Sequence, residues 1–244
     1  KRHFTEIPVY SHEPRPHRTS RDEGFRRSTS SLVTFLDQDD ILSPTHLERL
    51  AGILENSAKL SAVAAKTIPF TGEPPSFLFD DNLDWETEPL DPWALFPLCH
   101  IETPSQVMML RDALLGAGAW GEQTLILADA ELWLRIGSTG RMKWSLTRTL
   151  GRRIHPNADT SSLRRDALPR YTGHWKDMAT KVASEYELIN DPDISSGLTA
   201  ASGLHQFVDA IHKGDTEGAA KGRDLLLAGL SSHQHPDFRE SFLG

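Results

Sequence analysis

A short apolar run, residues 31–36, stops abruptly at the acidic segment DQDD of residues 37–40. The length of the run and its Val, Thr and Phe content favour a buried β-strand. Residues 43–54 begin with Ser-Pro, which is typical of a helix start, and continue with apolar residues at helical spacing. Residues 61–68 have the composition of a second strand. The order strand, acidic loop, helix, strand predicts a parallel βαβ unit.

The same patterns predict further elements on both sides of this unit. Residues 21–30 are expected to be helical and to end just before the first strand. A long acidic loop follows at residues 71–97. Beyond it, residues 105–110 and 142–150 are predicted strands, and residues 129–136 are a predicted helix closed by a glycine.

Apolar residues recur at helical spacing from His174 to the C-terminal region, which predicts a helical extension. We therefore expect an α/β domain over residues 1–165 and a helical extension over residues 166–244. The apolar stripes of the extension are interpreted as packing surface rather than as a cofactor site.

The bulk composition excludes several classes of protein. The chain has 244 residues and a net charge of −8, which argues against a non-specific nucleic-acid binder. Its single cysteine, Cys99, excludes an internal disulfide and a cysteine-rich zinc site. The sequence contains no run of about 18 apolar residues, so no transmembrane helix is predicted.

The acidic segment carries the first indication of chemistry. Three carboxylates within four positions repel one another unless a cation or hydrogen bonds offset their charge. Ligands of open α/β sheets bind beyond the carboxyl ends of the strands, and carboxylate oxygens suit Mg²⁺ or Mn²⁺ holding a phosphate. The pattern favours a metal–phosphate site over its alternative, a solvated turn.

Four short motifs follow one another along the chain in a characteristic order. They are RDEG at residues 21–24, DQDD at 37–40, GE at 121–122 followed by DAELWLR at 129–135, and RIH at 153–155. This order resembles that of the family 2 glycosyltransferases, over roughly residues 21–161. The resemblance implies a GT-A-like fold, with a mostly parallel sheet flanked by helices and the helical extension behind it.

The resemblance also implies a role for each matching residue. Asp129 corresponds to the catalytic base; an N-cap aspartate is the alternative interpretation. A divalent ion, Mn²⁺ or Mg²⁺, is expected at Asp39 and His155. The remaining matches are expected to contact the donor or the acceptor, and they are Arg21, Asp22, Asp37, Trp120, Glu122 and Arg153.

Two departures from the family pattern concern the nucleotide. Asp22 stands where the family usually has Asn. The opening strands of the family, which bind the base and ribose, are not evident. Residues 7–10 are instead similar to the strand that precedes the Arg21 segment.

The implied reaction is inverting transfer of a sugar from a nucleotide-diphosphate donor, a UDP-sugar by preference, to a hydroxyl of a glycan or glycolipid. We expect a cytoplasmic location, with the inner face of the membrane as an alternative. The C-terminal helices offer a surface for a homo-oligomer, and nucleic acid is not an expected partner. A nucleotidyltransferase and a non-catalytic binding module remain alternatives.

Overall fold

A computed structural model describes five stretches of the chain, which are residues 17–76, 86–93, 101–120, 127–155 and 168–232. Within these ranges the chain forms a six-stranded mixed sheet, helices packed against it, and a helical region at the C-terminal end. The α/β class and the helical extension are thus confirmed. The strand-like segment of residues 7–10 lies outside the described residues.

The sheet orders its strands β1-β5-β3-β6-β2, and β4 also pairs with β6. Only the β3–β6 pair is parallel; the other four pairs are antiparallel. The expectation of a mostly parallel sheet was therefore wrong in this respect. The strands are β1 (Leu32–Thr34), β2 (Ile41–Leu42), β3 (Leu60–Phe70), β4 (Thr87–Leu90), β5 (Val107–Leu110) and β6 (Arg141–Arg153).

The two strands of the predicted βαβ unit run parallel to each other, but they do not pair directly. Both β1 and β3 run antiparallel to β5, so they run parallel to each other, and α2 (His46–Glu55) connects them. Strand β5 lies between them and hydrogen-bonds to both. Its neighbouring residues Met108 and Met109 point to opposite faces of the sheet, and both are buried, as expected for a central strand with apolar side chains on both faces.

Helix α4 (Ala128–Thr139) is buried along most of its length. Leu132, Trp133 and Ile136 pack into the main core against the sheet. The predicted pair Glu131 and Arg135 is also buried, with Arg135 Nε 3.7 Å from Glu131 Oε1. This packing brings the first turn of α4 to the sheet edge at which β1 ends.

The helical extension consists of α5 (Leu168–Glu185), α6 (Pro192–Lys213) and α7 (Thr216–Ser232). Helix α5 packs against α4 through a cluster that contains Trp175, Met178 and Leu134. Helix α6 begins at a capping aspartate followed by proline and ends at Gly214, whose φ of 73° is readily adopted by glycine. No helix in the described ranges is both long and apolar enough to cross a membrane.

Helices α6 and α7 approach each other closely along a line of glycines. A Cβ added to Gly203 would overlap the backbone of Leu226, and one added to Gly229 would lie 2.8 Å from the Cα of Ala200. The backbone leaves no room for even a methyl group at these positions. The close approach of the two helices therefore depends on hydrogen as the side chain.

His46, in the first turn of α2, is completely buried. Its Nδ1 lies 2.8 Å from Thr149 Oγ1 on β6, and its Nε2 has no hydrogen-bond partner among the described residues. Burial lowers the pKa of His46 to about 4, with Thr149 acting in the opposite direction. The imidazole therefore stays neutral in the folded chain at neutral pH.

Substituting Gly203→Ala should destabilise the chain by about 1–3 kcal/mol, because the added methyl group overlaps backbone that cannot move aside. Chemical denaturation measures the loss. Gly116→Ala is the matched control, since a Cβ at Gly116 meets no atom within 4 Å. Equal stability of the two variants would contradict the proposed close packing.

Lowering the pH from about 6.5 to 4 should reduce the free energy of unfolding through His46. The unfolded imidazole takes up a proton near pH 6.5, whereas the folded one does so only near pH 4. At about 1.4 kcal/mol per pKa unit, the full effect is about 3 kcal/mol.

Denaturation curves of wild type and His46→Gln measure this effect. The free energy of unfolding of wild type should fall relative to that of the variant as the pH is lowered from about 6.5 to 4. His212→Gln removes an exposed histidine and should leave the pH dependence unchanged. An identical pH dependence of wild type and His46→Gln would refute the assignment.

Candidate active site

Arg21 joins two carboxylates that are far apart in sequence. It lies on α1 (His17–Arg27), and its Nη2 donates to Asp37 Oδ1 at 2.7 Å, just beyond β1. Its Nη1 donates to Asp129 Oδ1 at 2.9 Å, in the first turn of α4. Asp129 therefore lies beside the acidic segment, as expected from the sequence. The chemical roles of these residues remain predictions.

The guanidinium of Arg21 packs over the ring of Trp120. Its Cζ lies 4.7 Å from the centroid of the Trp120 ring, a cation–π distance. The backbone N–H of Trp120 donates to Asp22 Oδ1 at 3.3 Å. Asp22, next to Arg21 on α1, thus ties the helix to the segment that carries the ring.

Trp120 is buried in the core beneath Arg21. Its side chain is only 1% exposed, and its ring meets Phe35 and Trp133 edge-on at centroid distances of 5.0 and 6.3 Å. Arg21 lies over the ring. Core packing and Arg21 thus occupy the surroundings of this ring, and the role of Trp120 as a substrate contact stays a prediction.

Thr103 and Ser105 hydrogen-bond to the acidic segment, and neither residue was predicted from the sequence to belong to the site. Thr103 Oγ1 lies 2.8 Å from Asp40 Oδ2 and 3.1 Å from Asp37 Oδ2. Ser105 Oγ accepts a hydrogen bond from the backbone N–H of Asp37 at 2.9 Å. A hydroxyl has a single hydrogen, so the two carboxylates share the donor of Thr103.

One local signal for Thr103 was present in the sequence. Residues 103–106 form a capping box in which Thr103 and Gln106 satisfy each other's backbone N–H groups around a short 3₁₀ turn. The motif predicts the turn. It does not predict that the threonine hydroxyl also faces carboxylates more than 60 residues away in sequence.

The carboxyl of Asp40 has a raised pKa. Burial raises its pKa above the ordinary value, hydrogen bonds from Ser105 and Thr103 lower it in part, and the charges of Asp37 and Asp39 raise it further. The site thus concentrates negative charge where water is partly excluded. Such a site favours binding of a cation.

Asp39 and His155 form the pair that was predicted to bind metal. Asp39 Oδ2 lies 2.9 Å from His155 Nε2, just beyond the end of β6. Neighbouring ligands of an octahedral ion with bonds of about 2.1 Å lie about 3 Å apart, so the pair fits one cation. The described ranges contain no group of three or more metal-type side chains, so phosphate oxygens and water would complete the coordination.

Arg153 contacts a different part of the structure. Its Nη1 donates to the carbonyl of Gly72 at 2.6 Å, and its guanidinium lies 4.6 Å from the Phe70 ring. These contacts hold the turn after β3. Glu122 lies outside the described residues. The structure therefore brings together seven of the nine predicted site residues, namely Arg21, Asp22, Asp37, Asp39, Trp120, Asp129 and His155.

The family model described as Glycosyl transferase family 2 matches residues 7–115. The matched segment is less than half of the chain. This segment includes Arg21, Asp22, Asp37 and Asp39. The other side of the site, with Asp129 and His155, lies beyond the matched segment of family 2.

One solved structure similar to the chain is the crystal structure of S. aureus TarS. The two are 10% identical, with a TM-score of 0.45, and the match covers 86% of this chain and 42% of that one. The chain thus spans less than half the length of this structure. No curated protein matches the chain.

Substituting Thr103→Val should destabilise the chain by about 1–3 kcal/mol, because two carboxylates lose a shared buried donor at nearly unchanged side-chain shape. Urea denaturation at pH 7 measures the effect. Thr67→Val is the control: Thr67 Oγ1 also donates to a carboxylate, Glu102, but at the surface. A loss no larger than that of the control would show that Thr103 does not support the cluster.

Proposed function

We propose that this chain is an inverting glycosyltransferase that moves a sugar from a nucleotide-diphosphate donor to an acceptor hydroxyl. The observation that carries the proposal is the single guanidinium of Arg21 bonded to Asp37 and to Asp129. This contact supports a single site in which Asp37 lies on the donor side and the candidate base Asp129 lies next to it. The match of residues 7–115 to the model of that family supports the reaction class.

Asp129 is the proposed base. Breaking the anomeric C–O bond builds positive charge on the sugar and negative charge on the departing diphosphate. Inversion requires a base on the face opposite the leaving group, where it takes the proton of the attacking hydroxyl. The side chain of Asp129 is 39% exposed, so an acceptor can reach it. Asp37 is proposed to face the ribose and diphosphate.

Asp39 and His155 are proposed to hold the divalent ion. Their mixed oxygen and nitrogen donors suit Mn²⁺ better than Mg²⁺, which prefers oxygen ligands. When bound, the ion would supply positive charge to the departing diphosphate. Arg153 and Glu122 remain proposed contacts of the leaving group and the acceptor, respectively.

The proposed substrates are a UDP-sugar and a hydroxyl of a glycan or glycolipid, with a cytoplasmic site of action. A homo-oligomer through the C-terminal helices is a further proposal. A non-catalytic binding module is the second candidate function. The extent of the family match favours it, since the match ends at residue 115, before Asp129.

Asp129→Asn should lower turnover about 10²- to 10⁴-fold while leaving UDP binding in the presence of Mn²⁺ unchanged, because it removes the base and not the donor site. UDP release from a panel of UDP-sugars measures turnover, and calorimetry measures binding. Asp209→Asn is the matched control, an exposed aspartate paired with Lys213 on α6. Full turnover in Asp129→Asn would disprove its role as base.

Asp39→Ala should abolish the dependence of UDP binding on Mn²⁺, because it removes one of the two protein ligands. Calorimetric titration of UDP with and without Mn²⁺ tests this expectation. Binding of UDP that does not respond to the metal in wild type would refute the metal site. A folded wild-type chain that binds no UDP would favour the non-catalytic module.

A further inference from the structure

Arg21 hydrogen-bonds to two carboxylates at once, and these contacts restrict the orientation of its side chain. One Nη group is bonded to Asp37 and the other to Asp129, and within the described ranges these are its hydrogen bonds. The Trp120 ring supports the guanidinium from below, and the Arg21 side chain is only 18% exposed. The guanidinium is therefore held in orientation on three sides.

The three elements that Arg21 connects pack in one core through Phe25, Val33 and Leu132, and Arg21 joins their polar ends at the edge of that core. Asp37 follows the short strand β1, Asp129 begins α4, and Arg21 lies on α1. Each is part of a different local structure. A planar guanidinium with separate donors on each arm sets the distance and angle between the two carboxylates.

We propose that Arg21 is a positioning residue that holds the base Asp129 at a set distance from the donor-side acid Asp37. This inference rests on the proposed function and deepens it. Arg21 would act on catalysis through Asp129 rather than through direct contact with the donor. Misplacing a reacting group by about 1 Å can cost about 100-fold in rate, so such a role is large enough to measure.

The geometry requires arginine at this position. A lysine ammonium is a single point charge on a flexible stem and cannot bridge two carboxylates in a set geometry. Arg21→Lys therefore keeps the charge and removes the bridge. Arg27→Lys is a matched control on the same helix, since Arg27 Nε pairs with Glu23 at the surface.

The test measures UDP release from the UDP-sugar that wild type turns over fastest. Arg21→Lys should lower kcat about 10- to 100-fold with the KM for the donor changed less than about threefold, whereas Arg27→Lys should match wild type. In an Asp129→Asn background, Arg21→Lys should cause almost no further loss. A raised KM with unchanged kcat, or an equal loss in both backgrounds, would overturn the inference.

A second double-mutant cycle tests the contact between Arg21 and Asp129 through folding stability, without a measurement of turnover. Urea denaturation of wild type, Arg21→Lys, Asp129→Asn and the double variant should show coupling of at least about threefold in the folding equilibrium. Independent effects of the two substitutions would overturn the inference. If the two substitutions are coupled in folding but wild type turns over no UDP-sugar, the contact of Arg21 with both carboxylates is supported and the proposed function is refuted.

Discussion

The accumulation of negative charge at one end of the sheet is the constraint on which this structure depends. Asp37, Asp39, Asp40 and Asp129 meet there, and like charges at such distances repel. Each carboxylate is offset by a particular partner, which is the guanidinium of Arg21, the imidazole of His155 or the hydroxyl of Thr103. These partners come from α1, from the end of β6 and from the turn before β5, so the fold as a whole is needed to assemble the cluster.

The aromatic core beneath the cluster gives these polar contacts a rigid base. Phe35, Trp120 and Trp133 pack edge to face, and Trp120 carries Arg21 on its ring. An arginine held in this way loses less conformational freedom when it binds two carboxylates than a mobile one would. The burial of Trp120 fixes its ring in the core and makes it a rigid support for the guanidinium of Arg21.

Local signals predicted most of the elements well, and non-local pairing was the part they could not predict. The helix around residue 129, the strand that ends at Asp37 and the helical extension were all recognisable from periodicity and end signals. The insertion of β5 between β1 and β3 was not, because strand order depends on which edges meet in the folded chain. An apolar strand such as β5 fits either a parallel or an antiparallel neighbour.

The sequence by itself determined which chemical groups are available: carboxylates at a strand end, a second acid at a helix start, and a motif order that resembles that of the family 2 glycosyltransferases. Only the tertiary structure decided which of these groups meet. Arg21 reaches an acid 108 residues away, and Thr103 reaches acids more than 60 residues away. The reason is physical: caps, turns and periodicity are encoded by neighbours in sequence, whereas the partner of a charged side chain is selected by how separate elements pack.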